Sequence, residues 1–396
     1  MRYDFDSPIN RRGMDSIKWD MYDEDVLPLW IADMDFASPA PVVHALRERV
    51  AHGVFGYPGG LTFDGNEFPE FRQLIVDQLR DRWRWVVRPE DIVFMAGVVV
   101  GVNLACHAMS ASGGNVVVQT PVYTPILNAP QTAGLDRRDA PLLQLPDGLY
   151  GIDWEVFAST ITPETRLFIL CNPHNPVGRV YRRDELERVA EICLRRGVVV
   201  CSDEIHCDLL YSGQQHTPIA SLDPDIAHNS ITLIAPTKTF NLAGLQCSIA
   251  IIANPELRRR YMQAKQGLVG WVNLIGLLAA QVAYRDGQDW LDQLLVYLEG
   301  SRDYLDDFVR RELPGISMTK PEGTYLAWLD CRRAGIEGNP SELFLTQARV
   351  ALSDGAAFGE GGDGFVRLNF GCARRTLAEA LARMKKSLWP ASLSPA

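Results

Sequence analysis

Five short β-branched runs in this chain each end by delivering a polar residue or a glycine. D-I-V-F-M-A leads to Gly97, N-V-V-V-Q-T-P-V to Tyr123 and L-F-I-L-C-N-P-H to Asn175. V-V-V-C-S-D closes on Asp203, and S-I-T-L-I-A-P-T puts Lys238 on a turn. Short apolar runs bounded by turn residues read as buried strands. With helical stretches between them they predict a parallel sheet covered by helices on both faces. In such sheets ligands bind outside the carboxyl ends of the strands, so the five positions can share one site. A lone lysine at a strand end is usually a solvated surface residue. One of five converging ends is not.

The strands are expected near residues 92–95, 116–119, 166–171, 198–202 and 231–235, with helices over His44–His52, Pro69–Trp83 and Arg183–Arg196. This alternation runs from 46 to 285 and predicts a large α/β domain. Residues 1–45 read as irregular. After 286 a long amphipathic helix, Asp289–Glu312, leads to strands at Ile316–Met318, G-T-Y-L-A-W-L-D and G-F-V-R-L-N-F, then a last helix near 376–388. Residues 286–396, joined by 1–45, predict a smaller α+β domain.

At 396 residues, 47% hydrophobic and 22% charged, the chain has ample material for a globular core. A net charge of −10 argues against a nucleic-acid partner, which would need clustered Lys and Arg. The eight cysteines are scattered through apolar runs with no disulfide framework, which fits a reducing cytoplasm. Cys201, His206 and Cys207 match no zinc spacing, so no metal is expected. The N-terminus lacks the apolar core of a signal peptide. The longest uncharged run, Gly267–Tyr284, holds three glycines and reads as a buried helix rather than a membrane span.

The residue types at the five ends suit pyridoxal 5′-phosphate (PLP). An amine such as Lys238 can form a Schiff base with an aldehyde cofactor and later move a Cα proton. A carboxylate such as Asp203 can hold a pyridine nitrogen protonated, making the ring an electron sink; as a plain residue it would cap the next helix. Asn175, in a loop stiffened by two Asn-Pro pairs, can donate to a ring oxygen, or can be only part of a turn. The helix opening at Gly97 offers free N–H groups to a phosphate. Tyr123 can stack on the ring. Arg367, inside F-V-R-L-N-F, suits a substrate carboxylate through its bidentate fork, or else faces water from an edge strand.

These residues resemble the aspartate aminotransferase-like, fold type I PLP enzymes, and more narrowly the MalY/PatB-type cystathionine β-lyases, or C–S lyases. The resemblance covers nearly the whole chain: L-P-L-W-I-A-D-M-D-F, Q-T-P-V-Y-T-P, L-C-N-P-H-N-P-V-G-R, D-E-I-H-C-D-L, T-K-T-F-N-L-A-G-L and P-E-G-T-Y-L-A-W-L-D carry it. It implies an α/β fold with a mostly parallel large sheet and PLP as cofactor. Lys238 takes the Schiff-base role, Asp203 the pyridine nitrogen, Asn175 the ring oxygen and Tyr123 the stacking position. Gly97, Val98 and Thr237 match phosphate-holding positions, and His206 a position beside the ring. Arg367 matches the substrate-carboxylate arginine, and Tyr57 a tyrosine reaching in from the other subunit of a homodimer.

The implied reaction is β-elimination from cystathionine or another S-substituted cysteine. The same scaffold also admits transamination, a specialised decarboxylation with oxidative deamination, or a non-catalytic regulatory role. Four segments depart from the usual pattern: Gly97-Val98-Val99-Val100-Gly101, the stretch P-G-G-L-T-F-D-G-N-E-F after Tyr57, Gly270-Trp271-Val272, and N-F-G-C-A-R-R near the end. In the family these segments line or approach the substrate pocket.

Overall fold

The computed structural model describes residues 1–58, 68–146 and 148–388. Its main element is a seven-stranded sheet built from β1 (Ile92–Met95), β2 (Asn115–Val118), β3 (Asp136–Asp139), β4 (Thr165–Cys171), β5 (Val199–Asp203), β6 (Ser230–Ile234) and β7 (Ser248–Ile251). Their order across the sheet is β1-β7-β6-β5-β4-β2-β3. Within this sheet side chains alternate between faces. Val116, Leu167, Ile169 and Ile231 pack with the helix Val98–Met109. Val117, Phe168, Leu170 and Val200 pack with Arg183–Arg196. Both faces are therefore dry, which is why these strands read as unbroken apolar runs.

The strands differ from the sequence reading in three respects. The sheet is mostly parallel, as the resemblance implies, but β7, which the sequence reading did not include, runs antiparallel to both β1 and β6. Only residues 235–247 separate β6 from β7, about the minimum for a crossover, and the short helix Pro236–Thr239 and turns they form are too short to carry the chain back. The edge strand β3, D-R-R-D, was not anticipated. It has no apolar pattern, and Arg137 pairs instead with Asp139 at 2.7 Å across its exposed face. A hairpin of Leu142–Gln144 with Tyr150–Ile152 was also missed.

The second sheet holds β8 (Ser317–Thr319), β9 (Leu326–Asp330), β10 (Ser353–Asp354) and β11 (Phe365–Asn369) in the order β8-β9-β11-β10, all antiparallel. The helix Gln288–Glu312 lies beneath it with Trp290, Leu294, Leu298 and Leu305 buried. Residues 1–39 have little regular structure, as expected, although the first long helix begins at Ala40 rather than His44. Leu27–Pro28 pairs in parallel with Val350–Ala351, which anchors the segment that follows.

The run Gly267–Tyr284 is only partly a buried helix. The helix is Leu274–Asp286; before it, Leu268 and Trp271 are exposed. No described helix is long and apolar enough to cross a membrane. All eight cysteines are buried and unpaired.

Candidate active site

Strand direction decides the site. The strands β1, β2, β4, β5 and β6 run the same way, so Gly97, Tyr123, Asn175, Asp203 and Lys238 all leave the same edge of the sheet. Lys238 lies in the short helix Pro236–Thr239, which starts two residues after β6. The turn is fixed from behind: Thr239 donates to Asp208 at 2.9 Å, and Asp208 pairs with Arg82 at 2.6 Å. Lys238 is half-buried, and its ammonium donates to the carbonyl of Ala32 at 2.5 Å. Burial, and next the Arg367 cation, lower its pKa to about 8.

Asp203 ends β5 and is held by backbone bonds to both neighbouring strands. Its carboxylate is 5% exposed and accepts from the amide of Ile205 at 3.1 Å. Burial pushes its pKa up to about 7, with a smaller contribution from the neighbouring Glu204. Glu204 is fully buried and accepts from Ser202 and His216, each at 2.8 Å. His206 is also buried. Its Nδ1 has no hydrogen-bond partner among the described residues, and burial, then the Lys238 and Arg367 charges, hold its pKa down near 3, so the ring is neutral.

Arg367 sits in the middle of β11 at 4% exposure. It faces inward, not toward water as an edge arginine would. Its fork donates to Asn175 Oδ1 (3.0 Å), the carbonyl of Trp30 (2.9 Å) and Ser353 Oγ (3.2 Å), while Nε has no partner among the described residues. Phe358 lies 4.9 Å from the guanidinium carbon. Asn175 thus joins the two sheets, and its carbonyl also accepts the amide of Tyr123 at 3.1 Å.

Gly97 caps the helix Val98–Met109 with φ 111°, a conformation that favours glycine, and its amide is taken by Ser248 Oγ at 3.1 Å. Thr237 is buried next to Lys238. Tyr57 is placed elsewhere within this chain. It is 84% exposed, and its ring meets the edge of Trp271 at 5.5 Å.

Sequence reasoning missed the part played by residues 30–36. Ala32 O accepts from both Lys238 and Tyr325, and Trp30 O accepts from Arg367. The loop is immobilised by buried polar groups. Lys18 and Arg11 pair with Asp35 at 2.9 and 2.7 Å, and Asn369 donates to the carbonyls of Ile31 and Asp33 at 2.6 and 2.7 Å. The motif W-I-A-D-M-D-F was visible, but carbonyl roles leave no mark in residue type.

In two of the four unusual segments one glycine is a packing position. A Cβ on Gly101 would lie 2.9 Å from Met95 Cε and 3.1 Å from Leu233. One on Gly371 would meet Met34 Cγ at 2.7 Å, where the 30–36 loop crosses. Gly270-Trp271-Val272 adjoins Tyr57. In the segment after Tyr57, residues 59–67 lie outside the described residues.

Beside Arg367 a cavity of about 530 Å³ opens, lined by Tyr22, Trp30, Tyr123, Leu352 and Phe358 among others. Among the described residues no three His, Cys, Asp or Glu are grouped to hold a metal ion.

A sequence model described as aminotransferase class I and II matches residues 24–384. The chain belongs to that family. It is 42% identical to cystathionine β-lyase PatB of Bacillus subtilis (strain 168), over 97% of this chain and 99% of that one. Protein MalY of Escherichia coli (strain K12) is 33% identical over 96% of this chain and 97% of its own. Among solved structures, a PLP-bound aminotransferase-type protein from Clostridium difficile 630 superposes with a TM-score of 0.93 at 33% identity, covering 98% of this chain and all of that one. The large mixed sheet and the site at its carboxyl edge are this class I and II fold.

The residues present fit PLP. A carboxylate forced up to about 7 by burial is stabilised when a cationic ring N–H comes against it, and a lysine lowered to about 8 is readily neutral and nucleophilic. His206, neutral and with a free ring nitrogen, fits beside an aromatic ring.

Proposed function

We propose that this protein is a PLP-dependent carbon–sulfur β-lyase, converting an S-substituted cysteine such as cystathionine, with one water, into a thiol, pyruvate and ammonium. The observation that carries the reading is the convergence of half-buried Lys238 with buried Asp203 and Arg367 beside the carboxyl edge of the large sheet, in a chain 42% identical along its length to a cystathionine β-lyase.

Lys238 would hold the cofactor aldehyde, Asp203 its ring nitrogen and Asn175 its ring oxygen. Tyr123 and His206 would flank the ring, and Gly97, Val98 and Thr237 would take the phosphate. When bound, PLP supplies an electron sink for the pair left on the substrate Cα. Arg367 binds the substrate carboxylate and fixes how the Cα bonds stand in the site. Lys238 would take the Cα proton as general base. Its lowered pKa suits that task near neutral pH. The Cβ–S bond breaks with the electron pair leaving on sulfur, and the thiolate is protonated as it departs. The apolar wall of Trp30, Tyr123 and Phe358 keeps water from the reacting carbon.

We also infer a homodimer in which Tyr57, exposed here beside Trp271, reaches the other subunit's site. Residues 46–285 would form the PLP-binding unit, and 1–45 with 286–396 the smaller one. Eight buried, unpaired thiols support a reducing compartment such as the cytoplasm.

The test is pyruvate and thiol release by the purified holoenzyme from cystathionine and S-alkylcysteines without added 2-oxo acid. Equal amounts of pyruvate, ammonium and thiol, lost in Lys238→Ala, are expected. Turnover that requires a 2-oxo acid and yields no thiol would replace the lyase with transamination.

A further inference from the structure

His174 stands between the two loops that carry Tyr123 and Asn175, and the reaction leaves it without a task. It is fully buried in L-C-N-P-H-N-P, next to Asn175. Buried polar side chains generally do no more than satisfy their neighbours. Here each bond of the ring joins segments that end in site residues. Nε2 lies 2.8 Å from the carbonyl of Pro121, two residues before Tyr123. A carbonyl only accepts, so Nε2 is the nitrogen that carries the proton. Nδ1 faces the Tyr181 hydroxyl at 3.3 Å, which also lies 3.2 Å from Gln119 Oε1. Gln119 follows β2 directly, so the network returns to the strand that delivers Tyr123. Burial holds the pKa of His174 down to about 4, which keeps a ring with one proton across the neutral range.

The loop that carries Tyr123 is gripped from two sides. In the segment between β10 and β11, the carbonyl of Ala357 accepts from Thr124 Oγ1 at 2.7 Å, and that of Phe358 accepts the Val122 amide at 2.9 Å. On the large sheet's side the Asn175 carbonyl accepts the Tyr123 amide at 3.1 Å, and His174 adds a second bond at Pro121. The Asn172 amide ties the His174 loop in turn to the carbonyl of Asp203 at 2.9 Å. Tyr123, Asn175 and Asp203 are thus set against one another by neighbouring loops. The Tyr123 hydroxyl feels the charges of both Arg367 and Asp203, which places it at the site.

We infer that His174 is a positioning residue, which fixes Tyr123 against Asn175 by donating from Nε2 to the carbonyl of Pro121. The inference rests on the reading that Tyr123 stacks on the PLP ring while Asn175 meets its oxygen. The bond orients; it moves no proton and touches no substrate. A buried carbonyl that loses its donor costs free energy until the loop moves to regain one. Such a move loosens the stack of Tyr123 over the ring.

Variants of the holoenzyme test it, read by the PLP dissociation constant and by the visible circular dichroism of the bound cofactor. His174→Phe keeps an aromatic ring and loses the donor. His174→Gln puts an amide nitrogen where Nε2 stands, and His174→Asn puts one where Nδ1 stands, short of Pro121. We expect His174→Phe and His174→Asn to hold PLP about fivefold less tightly, the worth of one net hydrogen bond, with a weaker dichroic band. His174→Gln should restore both. A glutamine no better than asparagine, or native affinity and dichroism in the Phe and Asn variants whatever their urea midpoints, would overturn the inference. If those two variants do not fold, Tyr181→Phe decides, because it deletes the hydroxyl that faces Nδ1. A looser, less dichroic cofactor then supports the inference, and native values reject it. Tyr123→Ala separates the two readings. If it weakens PLP binding while the His174 variants do not, only the positioning role fails. If it leaves PLP binding unchanged, the stacking role of Tyr123 fails and the inference falls with it.

Discussion

Lys238 and Tyr325 donate to the same acceptor, the carbonyl of Ala32, at 2.5 and 2.9 Å. One group comes from the large sheet's edge and the other from the residue before β9, so the N-terminal loop sets where the lysine rests between them. Tyr325 is fully buried and its hydroxyl stays protonated, because burial drives its pKa far up. In Tyr325→Phe the carbonyl keeps only the lysine, and Lys238 is held less freely for the substrate. We expect kcat to fall about fivefold, the worth of one hydrogen bond near 1 kcal/mol, with KM little changed. Steady-state kinetics against the native enzyme check this.

The depressed lysine predicts how the cofactor-free protein takes up PLP. Burial and the Arg367 charge disfavour the ammonium, so the neutral, nucleophilic amine builds up through pH 8 instead of near the ordinary 10.5. Below that point the rate of cofactor capture should rise about tenfold per pH unit, and it should level off above it. Stopped-flow absorbance from pH 6 to 10 reads the profile. A rate still climbing at pH 10 would mean that Lys238 is unperturbed.

Asp203 costs stability to keep. Its folded pKa of about 7 lies above the ordinary 3.8, so the penalty is fully present above pH 7 and vanishes as pH falls below 3.8. A shift of about three units corresponds to up to about 4 kcal/mol. Asp203→Asn should therefore raise the unfolding midpoint of the cofactor-free protein at pH 8, with no gain near pH 4. The same change should abolish turnover. Denaturant melts at the two pH values separate the effects.

Arg367→Lys keeps the charge and loses the fork. Arg367 reaches Asn175 and Trp30 with separate nitrogens, and a lysine cannot hold that spacing. We expect KM to rise roughly 10- to 100-fold, equivalent to about 1.5–3 kcal/mol for hydrogen bonds to a charged group, with a smaller loss in kcat.

Gly101→Ala tests packing apart from chemistry. The added methyl would lie 2.9 Å from Met95 and 3.1 Å from Leu233, both fully buried. Overpacking of this kind costs about 1–3 kcal/mol. Urea unfolding should show that loss while KM for a good substrate stays near the native value.

The strand-end residues could be read from sequence because a sheet dry on both faces imposes a continuous apolar run, and each run stops where the chain turns into the site. Lys238, Asp203 and Asn175 were found in this way. Arg367 was visible for a related reason, a guanidinium in an otherwise apolar strand. What stayed hidden depends on geometry between distant segments. The carbonyls of Ala32 and Trp30 have no residue-type signature, and Ser248 holds the Gly97 amide from a strand 151 residues away. The antiparallel course of β7 follows from how the short residues 235–247 turn, and β3 has the composition of a loop. Tyr57 lies beside Trp271, and a single chain does not bring it to the lysine.

An enzyme whose product is a thiol lives with a hazard of its own making, because a released thiol, once oxidised, forms mixed disulfides with any cysteine it can reach. Here none can be reached. All eight are buried, and Cys106, Cys193, Cys247, Cys331 and Cys372 are each pushed up to about 12, which leaves almost no thiolate to exchange. The fold thus makes the catalyst inert toward its own product, and labelling by thiol reagents should report unfolding rather than turnover.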